Sequence, residues 1–541
     1  VSGVDSVQTL HQRIEAEALP ANMGTLLDEA IARFAHKPAW IAMEDSGPDL
    51  TYRELGALVA RTANAFRSLG VRKGTHVGIM LPNVPQFLAG WLALARLGAM
   101  MVPINPSYTP DELHYMLSDG DAEFLLIDVA RVPLLRQISD RPGVPAAAAV
   151  MVWGGGVDGG NHDWGTLLAA ASDEFTPSEP VDIDDIINIQ YTSGSTGFPK
   201  GCLLSHRYWL TMGKVKSALW PKFERIQCDL PFYYMGPMWR FSVAAFQGAA
   251  LCVPPAYSLT RYVERLRRYR IDFGWMTDPV AMLPETPEEG DNDLKLIAIF
   301  GLSQPLRAAV ARRFKVAVRD SYGMTEIGSG LYVPMDAEQV AKTASCGIPA
   351  PFRRCMIADD TGKPVKQGEV GELCVSGPGI LQGYYKKPEA TANAFWDGGW
   401  FRTGDLFRQD EDGNFYIVGR IKDMIRRSAE NISAIEVEAA LSAMPQIQEA
   451  AVIGVKDAKR GEEVKACVVL KPEWTPQTAT PQMVVEHCRQ HLAKFKLPRY
   501  VQFYRALPKT GSNKVAKKQL ADGGGQPQTE TFDMADGTWH R

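Results

Sequence analysis

Short apolar runs rich in β-branched residues alternate with longer stretches of helical apolar periodicity through the first four hundred residues. Residues 75–81 (THVGIML) predict a buried strand, and Pro85–Leu97 the helix that follows it. Further strands are expected at 123–128 (EFLLID), at 149–153 and from 186 (IINIQ). Such alternation builds α/β layers around largely parallel sheets. No repeat of solenoid period interrupts it. The glycine-rich segment 154–160 reads as a surface loop, since strand-like sequence resumes beyond it.

Near residue 420 the pattern changes. The hairpin-like GNFYIVGR (413–420) gives way to IKDMIRRSAENIS, then to a helix at 435–444 and strands at 449–455 and 462–470. A helix at 481–495 and a last strand at 500–507 follow, enough for a separate α+β domain of roughly a hundred residues. The predicted organisation is a large α/β domain over 1–419, a small α+β domain over 420–521, and a polar, glycine-rich tail over 522–541 expected to be disordered.

Composition narrows this little. Of 541 residues 45% are hydrophobic and 22% charged, and the net charge of −4 gives no reason to expect nucleic acid as a partner. The eight cysteines form no CxxC pair or zinc-spaced cluster, which predicts free thiols in a reducing compartment. The first twenty residues lack the apolar core of a signal peptide. The most apolar stretch, 86–105, is broken by Arg96 and reaches Pro103, so a buried helix entering a strand is expected rather than a membrane span. A cytoplasmic protein is the resulting expectation.

Candidate chemistry begins at IINIQYTSGSTGFPKG, residues 186–201. A buried strand enters a loop of Thr, Ser and Gly that ends at Lys200. Glycines let successive N–H groups converge on an anion, hydroxyls add donors, and the lysine brings a mobile charge. The spacing is not that of a Walker loop, because Pro199 and Gly201 flank the lysine. YTSGSTGFPKG resembles the signature loop of the adenylate-forming superfamily, which holds acyl-CoA synthetases, peptide-synthetase adenylation domains and beetle luciferases. The resemblance extends over residues from about 25 to 520, with further similar segments at GLSQP (301–305), DSYGMTE (320–326) and GGWFRTGDL (398–406).

That resemblance implies ATP contacts from Thr192, Ser193, Gly194, Ser195, Thr196, Gly197 and Lys200, and from Gly301, Leu302 and Ser303. It implies others from Asp320, Ser321, Tyr322, Gly323, Met324 and Thr325, with Tyr322 stacking on adenine and Thr325 on the α-phosphate. Thr196 and Glu326 are the implied Mg²⁺ ligands, Asp405 and Arg420 the ribose contacts. The family rotates its small domain between two half-reactions, with Lys422 at the pivot position and Lys514 as the adenylation lysine. Lys514, Lys200, Thr325 and Glu326 are thus the implied catalytic set. Three departures stand out: Asn513 before the lysine, Ser428 and Ala429 in place of paired glycines, and Tyr234 where an aromatic segment often has histidine.

VPINPSYTPDELHYML, AENISAIEVE and LAKFKLPRYVQFYRALPK are most similar to the crotonobetaine/carnitine-CoA ligase branch. The implied acyl pocket takes in Tyr233, Tyr234, Met235, Trp239, Arg240 and Trp275. Its aromatic faces suit a quaternary ammonium, an ordinary acyl or aryl acid, or plain core packing, and Arg240 suits a second carboxylate. No carrier domain follows Lys514, so coenzyme A is the expected acceptor and a small carboxylic acid the substrate. An enzyme loading a separate carrier protein, and a nucleotide-binding regulator without turnover, are the alternatives. A homodimer is a family-level expectation.

Overall fold

A computed structural model describes residues 3–155, 159–192, 199–300, 304–427, 430–510 and 514–540. By contacts the chain divides into two compact units, residues 1–355 with 375–401, and residues 356–374 with 402–541. The second unit therefore begins ahead of the boundary expected at 420, because the hairpin that carries Asp405 and Arg420 belongs to it.

The first unit holds two large sheets. In the seven-stranded sheet the strands run, in order of position, 162–163, 150–153, 124–128, 76–80, 100–103, 186–192 and 200–205. All neighbours are parallel except the last pair, a hairpin. The expected helix Pro85–Leu97 is observed at those bounds: proline opens it, and Gly98 closes it at φ 69°. All but three of its residues are buried, Arg96 among the exceptions. The strand Ile186–Thr192 is anchored by Asn188, whose buried side-chain oxygen accepts from Trp91 Nε1 at 2.9 Å and Trp209 Nε1 at 3.0 Å. The nine-stranded sheet has a parallel centre (strands 318–324, 296–299, 273–275, 225–227, 250–253 and 38–42) with antiparallel strands at both edges. Its strand Val318–Met324 carries most of DSYGMTE.

In the second unit the strands 424–427, 430–433, 447–457, 461–470 and 500–506 form one sheet. Helices Ala434–Ser442 and Pro481–Arg489 cover an apolar core that includes Val437, Leu441, Val464, Val484 and Phe503. The second helix stops six residues short of the expected 495. Pro498 holds Leu497 extended, and a short 3-10 turn at 494–496 leads into the next strand.

The expected disordered tail is corrected. Residues 526–527 and 531–533 pair antiparallel with the strand Tyr500–Ala506, and 538–540 pairs with 531–533. Asp533 takes both Nε (3.0 Å) and Nη2 (2.9 Å) of Arg499, while Phe532 is buried and packs on Trp539. A bidentate ion pair and one aromatic anchor order a segment whose composition alone predicts coil. None of the described helices is long and apolar enough to cross a membrane, and all eight cysteines are free.

Candidate active site

The signature loop closes a β-hairpin, with Thr192 paired to Lys200 in register. Lys200 is the first residue of the return strand Lys200–Ser205, rather than the end of a free loop. Ser193, Gly194, Ser195, Thr196 and Gly197 lie outside the described residues, as do Gly301, Leu302 and Ser303. The base of the hairpin is pinned from outside: Tyr115 Oη donates to the Pro199 carbonyl at 2.8 Å, and Tyr191 Oη to Asp119 at 2.7 Å.

Residues 382–385 lie along the return strand, bonded to it through Leu203 N to Gly383 O (2.9 Å) and Tyr385 N to Gly201 O (2.8 Å). This brings Tyr384 against the loop lysine. Lys200 Nζ stands 4.1 Å from the Tyr384 ring centroid, and Tyr384 Oη donates to Glu326 Oε1 at 3.1 Å. The phenol therefore joins Lys200 to Glu326. Burial first, and the Glu326 charge second, push the Tyr384 pKa well above its ordinary value, so it stays a donor. Sequence reasoning passed over Tyr384, because its role exists only once 382–385 pairs with a strand nearly two hundred residues earlier.

Other implied nucleotide contacts fall on one hairpin. Tyr322 is buried, and its hydroxyl faces the Met324 sulfur at 3.8 Å. Gly323 is required by space: a Cβ there would lie 2.3 Å from the Gly328 carbonyl oxygen. Thr325 Oγ1 donates to the Met235 sulfur at 3.5 Å, which ties the end of DSYGMTE to the start of helix Met235–Gln247. Asp320 is buried, its carboxylate held by Arg307 (2.6 Å) and by the Ser321 N–H (2.8 Å), an arrangement that fixes the strand. In the aromatic segment the Tyr233 and Tyr234 rings lie 4.6 Å apart, and Gln190 Nε2 donates to the Tyr233 carbonyl at 3.0 Å. Trp239 and Arg240 are buried and Trp275 half-buried.

A separate array forms in the second unit. Antiparallel pairing sets Asp405 opposite Arg420, and Arg420 Nε meets Asp405 Oδ1 at 2.8 Å. Asp405 is buried, and its own N–H donates to Thr403 Oγ1 at 3.1 Å. Lys422 sits in the short turn Ile421–Asp423 just beyond. Lys514 is an exposed residue, with Asn513 before it outside the described residues. The protein packed around its ammonium still lowers its pKa, and Arg420 and Lys422 lower it further against the opposing pull of Asp405. Lys422 is lowered likewise, first by burial and then by Arg420. Arg420, Lys422 and Lys514, with Asp405 and Asp423 among them, thus come within electrostatic reach of one another although they are spread over more than a hundred positions in the chain. Ser428 and Ala429 lie outside the described residues.

A family model described as AMP-binding enzyme matches residues 27–385, and one described as AMP-binding enzyme C-terminal domain matches residues 436–514. The chain belongs to the AMP-binding enzyme family. This AMP-binding enzyme is 32% identical over 518 residues to a crotonobetaine/carnitine–CoA ligase of Salmonella paratyphi C (strain RKS4594), covering 92% of this chain and 98% of that one. It resembles ATP-bound MatB from Rhodopseudomonas palustris with a TM-score of 0.83 at 27% identity, covering 93% and 99% of the two chains. A Mycobacterium tuberculosis fatty acyl CoA synthetase matches with a TM-score of 0.72 at 27% identity, covering 93% and 98%.

If Tyr384 couples Lys200 to Glu326, Tyr384→Phe should keep the ring and lose the hydroxyl. A hydrogen bond to a charged group contributes about 1.5–3 kcal/mol, so pyrophosphate exchange should fall about 10–100-fold. Tyr384→Leu should fall further, since the ring face for Lys200 goes too. Equal rates in Tyr384→Phe and the parent protein would show the link to be inert.

Proposed function

We propose that this enzyme is an AMP-forming carboxylic acid–CoA ligase acting on a small acid. The observation that carries the reading is the joining of the loop lysine to Glu326 through Tyr384. In the first half-reaction a carboxylate oxygen bonds to the α-phosphorus of ATP and pyrophosphate leaves. Lys200, Thr325 and Lys514 stabilise the charge that develops on the phosphates. In the second the CoA sulfur bonds to the acyl carbonyl, its proton passes to solvent, and AMP leaves. Glu326 with Thr196 would hold Mg²⁺, since a hard cation takes carboxylate and hydroxyl oxygens. When bound, the ion neutralises phosphate charge. Tyr322 is proposed as the adenine platform, Asp405 and Arg420 as ribose contacts, and Lys422 as the pivot between steps.

The test is incubation with ATP, Mg²⁺, a panel of small acids and CoA, followed by chromatography of the products. Pyrophosphate, AMP and an acyl-CoA thioester are expected together. Acyl-adenylate that accumulates without thioester would replace CoA by a carrier protein. Silence across the panel would leave a nucleotide-binding regulator.

A further inference from the structure

Two buried cations in the first unit have no part in the proposed chemistry. Lys216 lies near the end of helix His206–Leu219, and Arg240 lies within helix Met235–Gln247. Both stand against the Trp239 ring, with Lys216 Nζ 4.8 Å and Arg240 Cζ 4.6 Å from its centroid. Arg240 also stands 5.5 Å from the Trp275 ring. Its Nε and Nη1, and the Trp275 indole nitrogen, have no hydrogen-bond partner among the described residues. The nearby acid is Asp229, buried, with Oδ2 accepting from Gln227 at 3.1 Å and Oδ1 unpartnered.

Desolvated donors without acceptors destabilise a fold unless something completes them. Burial, and then Arg240, lowers Lys216 to about 7, so the pair sits at the edge of what the interior tolerates. Asp229, itself buried, leaves Arg240 and the charged form of Lys216 undercompensated, and an arriving anion would complete them. Trp239, Arg240 and Trp275 are themselves residues of the implied acyl pocket, and Lys216 joins them there. Met235, five residues before Arg240 on the same helix, receives the Thr325 hydroxyl. Trp275 lies 6.4 Å from Phe300, the residue before segment 301–303.

We propose that Lys216, Arg240 and the Trp275 N–H form a subsite for a second anionic group on the acyl substrate, which makes the acid a small dicarboxylic acid. This rests on the reading of the chain as an acid-activating ligase. It also disfavours a quaternary ammonium acid, because the Trp239 ring already serves two protein cations and a third positive charge would be repelled.

The experiment is ATP–pyrophosphate exchange by the full chain with short α,ω-diacids, monoacids of equal length and a trimethylammonium acid. The expected order puts a diacid at least about tenfold above its monoacid in kcat/KM, with the ammonium acid lowest, because a charge-assisted pair supplies that much discrimination. Arg240→Met and Lys216→Met should each lower the diacid-to-monoacid ratio about tenfold, mostly through KM for the diacid. Arg240→Lys and Lys216→Arg should restore part of it. A merely structural role would lower both acids equally and leave the ratio unchanged, which overturns the subsite. A wild-type preference for monoacids or the ammonium acid overturns it as well. Should a methionine variant fail to fold, scanning calorimetry of the parent decides: a diacid is expected to raise its Tm where the matched monoacid does not, and equal shifts count against the subsite. No exchange with any acid defeats the ligase reading, and the subsite falls with it.

Discussion

Lys514→Ala is expected to lower the adenylation half-reaction by about two to three orders of magnitude, the effect of removing one donor from a developing phosphate charge. Lys514 is exposed, so the folded state should change by less than about 0.5 kcal/mol, and thermal unfolding should confirm it. Thioester formation from separately supplied acyl-adenylate and CoA should survive, because CoA attacks the acyl carbonyl and no charge develops on an attacked phosphate for Lys514 to meet when AMP is displaced from a ready-made adenylate. The pH profile offers a second reading. Desolvation, Arg420 and Lys422 hold the Lys514 pKa below the ordinary lysine value of about 10.4, against the pull of Asp405. The ammonium is the active form, so adenylation persists at lower pH and is lost as pH rises through the lowered pKa. Lys514→Arg should move that alkaline limb upward. An alanine variant with unchanged pyrophosphate release would remove Lys514 from the mechanism.

How much of this was legible beforehand depends on whether the signal is local. Helix Pro85–Leu97 is observed at its expected bounds because proline at its start and glycine at its end are read from neighbouring residues. The strand expected at 75–81 is found at His76–Met80 for the same reason. The tail shows the opposite case. Its glycines, threonines and acids read as coil, and its order comes from Arg499 and from a strand some thirty residues earlier. Tyr384 and Lys216 belong to the same class. Tyr384 gains meaning from pairing with the strand after the signature loop, and Lys216 from a helix packed on another that carries Arg240. Asp405 and Arg420 stood in between. Their residue types were implied by resemblance, and hairpin register then placed them directly opposite one another.

That register sets up the other large expected effect. Asp405 is only 3% exposed, whereas Arg420 beside it is about 40% exposed along its side chain, so the register fixes a buried carboxylate behind a partly open arginine. A carboxylate can accept from both hydroxyls of a ribose at once, and each such bond contributes about 1.5–3 kcal/mol. Asp405→Ala should therefore lower kcat/KM for ATP by about a hundredfold or more. Part of that loss would come from releasing Arg420, which Asp405→Asn separates, since asparagine keeps an acceptor and drops the charge. The decisive comparison uses 2′,3′-dideoxy-ATP. The parent enzyme should prefer ATP over it by about the same factor that Asp405→Ala loses, and the variant should treat the two nucleotides alike. A variant that still discriminates between them places the ribose elsewhere. A variant equally poor with both, and equally stable, places it here.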